Sequence, residues 1–264
     1  MKLKKETIET YISLVEIALP GLVEVLTTKA NRTLLIGAGV FDLYALNGWT
    51  AELNRETKDL DFAIEFITDD KVYKEICGEL LKLGYSLDPI HPYRFHSPNK
   101  KKKYGYIDLL TFTLDKNLEG SAQSAMKVGE DFSFKGMAFA LNNSILLKDN
   151  IYLPNPLGMI YLKMSSYLNE PKRLKDFGDI CEMVVGLVLK QTSISDLREI
   201  ALKYHGTEEM TAIVKMLIGI IKDNSPVWDY DVVEMELLSR ESLSNLRRED
   251  LAFYFEKFKL ELNL

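Results

Sequence analysis

The segment from Thr33 to Phe66 constrains the fold most, because it combines two strand patterns, a turn of small residues and a pair of acids. Thr33–Ile36 has the apolar character of a short buried strand. Gly37-Ala38-Gly39 follows it as a turn where a phosphate can approach the backbone. From Asp59 onward, polar and apolar residues alternate with the period of a β-strand. Residues two apart on a strand point to the same face, so Asp59 and Asp61 project side by side. Because adjacent carboxylates repel each other unless a cation lies between them, the segment predicts a Mg²⁺ and nucleotide site.

The composition is that of a globular chain with a substantial core. The 264 residues are 47% hydrophobic and 27% charged, and the formal net charge is −6. This acidic balance argues against nonspecific coating of nucleic acid, although it leaves room for a local basic groove. Cys77 and Cys181 lack CxxC spacing and assemble no zinc motif with three histidines, so we expect buried, reduced thiols. The sequence has neither the pattern of a secretory leader nor a run of about 20 apolar residues that could span a membrane. We therefore expect a cytoplasmic protein.

The patterning along the chain changes character near residue 153. Strands and helices alternate before this point, whereas helical periodicity dominates after it. The elements predicted before it are helices at 6–27 (interrupted at Pro20), 41–47 and 69–83 and strands at 33–36, 59–66, 93–97, 104–112, 132–140 and 145–152. Those predicted after it are helices at 156–168, 173–189, 194–204, 208–222 and about 231–262. We therefore predict an α+β fold, with strands and helices mixed in residues 1–153 and a helical C-terminal domain in 154–264.

A third acid, Asp108, stands alone in an otherwise apolar strand pattern. Burying an unpaired carboxylate is costly, and a shared metal site would explain why it is tolerated. In a two-metal site Asp108 would bind the catalytic metal and orient or deprotonate the acceptor hydroxyl. The alternative is an acid on an edge strand that faces solvent.

The turn and the residues beside the acid pair each allow two interpretations. Gly37-Ala38-Gly39 leads into a predicted helix whose first amides would face a phosphate, but the same turn also suits close packing of a strand against a helix. Arg55 and Lys58 would neutralise phosphate charge or pair with the acids. Glu65 shares the face of Asp61 by alternation, and we expect it on a solvated face rather than at a metal.

The second half of the chain carries a further set of charges. Lys163 falls on the polar side of its predicted helix, and Arg173 and Lys175 lie at the start of the next, followed by Asp176 and Asp179 on one face. Cations at a helix start are disfavoured by the helix dipole, which indicates an external reason such as phosphates. A network of salt bridges within and between the helices is the alternative.

Together these segments resemble a known family. The segments that resemble the minimal nucleotidyltransferase core of the polymerase-beta superfamily are the strand ending in Gly37-Ala38, then Arg55-x-Thr57-Lys58-Asp59-Leu60-Asp61-Phe62, and Tyr106-Ile107-Asp108-Leu109-Leu110. The stretch from Lys163 through Arg173 and Lys175-Asp176 to Asp179-Ile180 is similar to the signature of AbiEii-type nucleotidyltransferases, a group that includes toxins of type IV toxin–antitoxin systems. The resemblance covers roughly residues 30–185.

The resemblance implies a fold and a set of roles. It implies a mixed sheet flanked by helices, a helical C-terminal domain and an active site in the cleft between them. It also implies an NTP cosubstrate with Mg²⁺ as cofactor, and Asp59 and Asp61 as ligands. Lys163 would approach the triphosphate, and Asp176 would be an acidic site residue, with the catalytic base as one role. Ala38 departs from the Gly-Gly or Gly-Ser of many relatives and offers no hydroxyl to a phosphate.

The leading hypothesis from the sequence is transfer of an NMP from an NTP to an acceptor hydroxyl. The acceptor stays open among tRNA, a protein side chain and a small molecule such as an aminoglycoside. The lysines at 100–103 and 172–175 favour a polyanion slightly, or are simply solvated. A toxin of this kind would have an antitoxin partner. The alternative from another class is a catalytically inactive module that binds a nucleotide or a partner.

Overall fold

The computed structural model describes residues 2–50, 57–99, 103–126, 135–169, 174–190, 194–222, 240 and 243–264. The fold is α+β, with a mixed β-sheet flanked by helices and a set of C-terminal helices. The elements up to residue 153 are α1 (Lys5–Ala18), α2 (Leu22–Lys29), β1 (Thr33–Ile36), α3 (Gly39–Leu46), β2 (Asp59–Glu65), α4 (Lys71–Lys82), β3 (Ser86–Leu87), β4 (Arg94–His96), β5 (Tyr106–Phe112), a 3₁₀ turn (Lys116–Leu118), α5 (Glu119–Met126), α6 (Met137–Asn142), β6 (Ile145–Lys148) and β7 (Ile151–Leu153). The later elements are α7 (Pro156–Asn169), α8 (Leu174–Lys190), α9 (Ile194–Lys203), α10 (Glu208–Lys222) and α11 (Arg248–Glu261).

The chain divides into two compact units. Residues 2–43 and 55–154 form the first, which we call the sheet unit, and residues 44–54 and 155–264 form the second, which we call the helical unit. The later change of unit lies between residues 154 and 155. The assignment of 44–54 to the helical unit has no counterpart in the sequence pattern.

The sheet of the first unit has the strand order β3-β4-β5-β2-β1-β7-β6. β2 pairs parallel with β5 and antiparallel with β1, so these three strands form the middle of the sheet. Central strands that are covered on both faces consist of continuous apolar runs. In β2 this holds for Phe62, Ala63 and Ile64, which are all buried. Asp59 and Asp61 are only half-buried. The acid pair of β2 therefore lies at the end where the strand begins, and the buried acid Glu65 lies at the other end.

The helical unit packs around α8. Every residue of this helix from Asp176 to Val188 is buried, because α7 and α11 both contact it. Apolar side chains such as Ile180, Val184 and Phe258 form the core of this unit. A helix that is buried all round must also bury any charges that it carries, and these need partners.

Three expectations about secondary structure require correction. Of the helix expected at about 231–262, the described residues contain only α11, because the chain turns at 243–245 and the helix begins at Arg248. Residues 132–140 were expected as a strand, but their described part enters helix α6, which begins after Gly136 with its φ of 93°. The apolar run in this segment has no clear period, so it does not distinguish a buried helix from a strand. The expected strand at 145–152 is divided into the antiparallel pair β6 and β7, because Asp149 turns the chain with a φ of 47°.

The structure also describes the two cysteines and the helices, for which composition predicted buried thiols and no membrane span. Cys181 is buried as expected, Cys77 is only partly buried, and neither forms a disulfide bond in the described structure. Among the described helices, none is by itself long and apolar enough to cross a membrane; α1 and α2 meet that test only together, across a bend of 109°.

Candidate metal centre

Strand register brings the three acids of the sheet unit together. Asp61 on β2 lies directly opposite Asp108 on β5, and Asp59 lies opposite Tyr106. Each of the three acids has a carboxylate oxygen within 4.8 Å of the oxygens of the other two. The register puts Asp61 and Asp108 side by side, and Asp59 is the next side chain on the same face of β2. The structure therefore groups the acids that the sequence singled out as metal ligands.

The small-residue turn begins beside this group. β1 ends at Ile36, which is paired with Asp61, so Gly37 is next to that acid. A Cβ atom on Gly37 would lie 1.6 Å from the Asp61 Oδ2, and the φ of Gly37 is +70°. A Cβ atom on Gly39 would lie 2.2 Å from a methyl carbon of Leu60. Both glycines are thus required by close packing against β2. The contact between this turn and a phosphate stays a prediction.

The turn is also held from outside the sheet. The Tyr11 hydroxyl on α1 donates a hydrogen bond of 3.1 Å to the Gly39 carbonyl, at the first residue of α3. Tyr104 donates to the Asp42 carboxylate at 2.7 Å, in the first turn of the same helix. Lys103, the described lysine of the predicted basic loop, forms an ion pair of 2.8 Å with Asp42. These contacts fix the start of α3. Lys103 contributes to them through its ion pair and is not simply solvated.

Arg94 on β4 is the main residue of this site that the sequence did not reveal. It is paired across the strands with Asp108, and its Nε and Nη2 donate to the two oxygens of that carboxylate at 2.7 Å each. These hydrogen bonds raise the pKa of Arg94 above its usual value. Asp108 is buried on an inner strand, so the alternative of a solvent-facing acid on an edge strand is wrong. Its burial is instead offset by a bidentate ion pair.

Tyr106 completes the polar surface around the acids. It lies opposite Asp59 on one side and His96 on the other, and the Arg94 guanidinium carbon lies 4.2 Å above the centre of its ring. Burial, followed by the negative charge of Asp59, raises the pKa of the Tyr106 hydroxyl. Tyr106 and Asp108 are two residues apart on β5 and so share a face, as alternation along the strand predicts. Their neighbours on β2 and β4 follow only from the strand register.

The predictions for the charged residues outside the acid group differ in how they compare with the structure. Glu65 is buried and accepts from Arg32 Nε at 2.6 Å in a second bidentate ion pair, so the expectation of a solvated face was wrong. Lys58 is exposed just before β2, and its role at phosphate stays a prediction. The predicted phosphate contacts Arg55 and Arg173, and the lysines at 100–102, lie outside the described residues.

Three of the charges singled out in the second half, Lys163, Asp176 and Asp179, form a buried cluster in the helical unit, whereas Lys175 is exposed. Lys163 Nζ on α7 lies 2.8 Å from Asp176 Oδ1 and 2.7 Å from Asp179 Oδ2, both on α8. Arg240 Nη1 lies 3.0 Å from Asp179 Oδ1 and 2.6 Å from Glu182 Oε2. Burial alone would lower the pKa of Lys163, but the charges of Asp179 and Asp176 outweigh this effect and raise it. The salt-bridge interpretation left open by the sequence describes what is observed. The catalytic roles of Lys163 and Asp176 stay predictions.

Comparison with known proteins adds little to this picture. The sequence matches no protein-family model and no curated protein. Among solved structures, the chain is similar to JHP933 from Helicobacter pylori, over 99% of this chain and 94% of that one, at 13% identity and a TM-score of 0.41.

Proposed function

We propose that the chain is a Mg²⁺-dependent nucleotidyltransferase that transfers an NMP from an NTP to a hydroxyl group of an acceptor. The observation that carries the proposal is the group formed by Asp59, Asp61 and Asp108, whose ligand oxygens lie within 4.8 Å of one another. Hard divalent cations such as Mg²⁺ prefer carboxylate oxygens and keep several waters, so three acids on two adjacent strands are a fitting donor set. Asp59 and Asp61 are half-buried and so keep access to solvent, as an exchangeable metal and a soluble nucleotide require.

The turn beside the acids supports phosphate as the substrate group. α3 starts at Gly39, and the first amides of a helix together with its dipole attract anions. Gly37 has no side chain, so the acid pair and the backbone of the turn can approach the same group of atoms. Lys58, directly before the acid pair, would add a positive charge for the triphosphate.

The reaction assigns one role to each of these residues. Bound Mg²⁺ ions would lower the barrier by activating the acceptor oxygen and neutralising the triphosphate. Asp59 and Asp61 would hold the metal ions, and Asp108 would orient the acceptor hydroxyl or accept its proton. The acceptor oxygen forms a bond to the α-phosphorus, the bond from that phosphorus to the bridging oxygen breaks, and pyrophosphate leaves. Lys163 and Asp176 are not needed for this part of the proposal.

A second candidate is a module that binds a nucleotide or a partner without turnover. It is favoured by Arg94, which donates to both oxygens of Asp108 and so neutralises this acid without a metal. The two candidates differ in one observable, because the first predicts incorporation of label and the second only binding.

The experiment is transfer of label from each α-³²P-NTP with Mg²⁺, offering total RNA, aminoglycosides and the protein itself as acceptors. An Asp59→Asn/Asp61→Asn double variant tests the acids, and Asp70→Asn, at a partly exposed acid that precedes α4, is the matched control. Transfer by the wild type and the control but not by the double variant supports the enzyme and identifies its acceptor class. Nucleotide binding without transfer supports the module, and no nucleotide binding contradicts both. A neighbouring antitoxin gene and growth arrest on expression would identify a toxin.

A further inference from the structure

We infer, on the basis of the metal site proposed above, that Arg94 is a positioning residue that holds the Asp108 carboxylate toward Asp59 and Asp61. Two nitrogens of Arg94 donate to the two oxygens of Asp108 as a fork, with both distances at 2.7 Å. A bidentate pair fixes the direction of a carboxylate as well as its position, which a single hydrogen bond does not. Asp108 is thereby kept in one orientation before any ligand binds.

Arg94 and a metal can share the same carboxylate. An ionised carboxylate has about four lone-pair sites on its two oxygens, and the Arg94 fork uses two of them. While this ion pair is formed, Asp108 still has an oxygen within 4.8 Å of the ligand oxygens of both other acids. The ion pair therefore does not turn Asp108 away from the group that would coordinate the ion.

The surroundings of Arg94 keep the fork in place. Its guanidinium stacks over the Tyr106 ring, and only 21% of its side chain is exposed. Tyr106 is itself located between Asp59 and His96 by strand pairing. An arginine fixed by its strand, by an aromatic ring and by a buried carboxylate loses little additional freedom on ligand binding, so the cost of ordering has already been met in folding.

The test measures metal binding rather than activity. Mn²⁺ affinity is determined by electron paramagnetic resonance for the wild type, Arg94→Lys and Arg94→Gln. Loss of a residue that orients a metal ligand commonly weakens binding by roughly 10–100-fold, and we expect both variants to fall in this range. Lysine keeps the charge but cannot form the fork, so Arg94→Lys separates geometry from charge. The luminescence lifetime of bound Tb³⁺ in H₂O and D₂O should report an additional metal-bound water in both variants.

Two further variants make the test specific. Arg94→Gln in an Asp108→Asn background should cause no additional loss of Mn²⁺ affinity, because Arg94 acts through that acid. Arg32→Lys is the matched control, because it disrupts a bidentate ion pair of the same kind, with Glu65. Glu65 lies on β2, about 13 Å along the strand from Asp61. It should lose stability to a similar degree and keep its Mn²⁺ affinity.

The outcomes separate this inference from the function on which it depends. Unchanged or tighter Mn²⁺ binding by Arg94→Gln would show that Arg94 is only a counter-charge, and would overturn the inference while leaving the metal site intact. Full affinity in Arg94→Lys would do the same. Absence of Mn²⁺ binding in the wild type would overturn both the inference and the proposed function.

Discussion

Replacing Gly37 by Ala tests the contact between the small-residue turn and the acid group most directly. The new Cβ would lie 1.6 Å from the Asp61 Oδ2, and contact at ordinary van der Waals distance starts at 3.4 Å. The oxygen must therefore retreat by about 1.8 Å, unless the turn itself moves. This displacement is close to the whole length of a Mg²⁺–oxygen bond, about 2.0–2.1 Å, so Asp61 cannot stay in a coordination sphere centred on its present oxygen.

The same substitution also strains the backbone, and this effect must be separated from the clash. An alanine in the left-handed region costs about 1–2 kcal/mol. Gly206 provides the matched control, because its φ is +82° and nothing lies within 4 Å of the position that an added methyl group would occupy. Gly37→Ala and Gly206→Ala should thus lose a similar amount of unfolding free energy to strain, while only Gly37→Ala meets a metal-site carboxylate.

The assay combines urea unfolding with a Mn²⁺ titration of each variant. We expect Gly37→Ala to bind Mn²⁺ at least about tenfold more weakly than the wild type, and Gly206→Ala to bind it equally well. If Gly37→Ala lost only the stability that Gly206→Ala loses and kept its Mn²⁺ affinity, the reasoning that Asp61 is held as a ligand beside the turn would be refuted.

Four further predictions concern packing, charge and hydrogen bonding. Gly178→Ala should destabilise the chain by about 2–4 kcal/mol, since its Cβ would lie 2.3 Å from the Arg240 Nε and would displace a buried ion pair. Gly78→Ala, in a helix with open space around it, should instead gain up to about 1 kcal/mol in urea unfolding. Lys163→Met should lose about 3–5 kcal/mol at neutral pH. Because folding raises the pKa of Lys163, its contribution to the free energy of unfolding is complete below about pH 10.4 and is lost as the pH rises through the folded pKa. The difference in stability between Lys163→Met and the wild type should therefore narrow in alkaline unfolding experiments. Tyr11→Phe should lose about 1–2 kcal/mol in thermal unfolding, because a buried carbonyl at the start of α3 loses its donor.

Local patterns in the sequence were sufficient to locate most elements. β1 coincides with the predicted strand at 33–36, and α10 coincides with the predicted helix at 208–222. The expected hairpin of β4 and β5 also forms, with antiparallel pairing. These patterns depend on the period of side chains within one element, and this information is local. The failure at α6 has the same origin, because an apolar run without a period does not specify which element it forms.

The partners of charged residues were the part that local patterns could not provide. Arg94 meets Asp108 because β4 and β5 pair in one register, and a shift of a single residue would put their side chains on opposite faces. Lys163, Asp179 and Arg240 meet only in the folded helical unit. From the sequence alone, Lys163 was equally consistent with a phosphate contact. A charge in a sequence indicates only that a counter-charge or water is needed, and it does not say which.

The sequence by itself determined that a strand, a glycine turn and an acid-bearing strand follow one another, since each is encoded by neighbouring residues. It also determined that Asp59 and Asp61 share a face. Only the tertiary structure decided that Asp108 joins them, that Arg94 holds Asp108, and that Glu65 is neutralised by Arg32. The physical reason is that alternation sets the face of a side chain within its strand, whereas strand order and register set its neighbours, and these result from burial of the whole core.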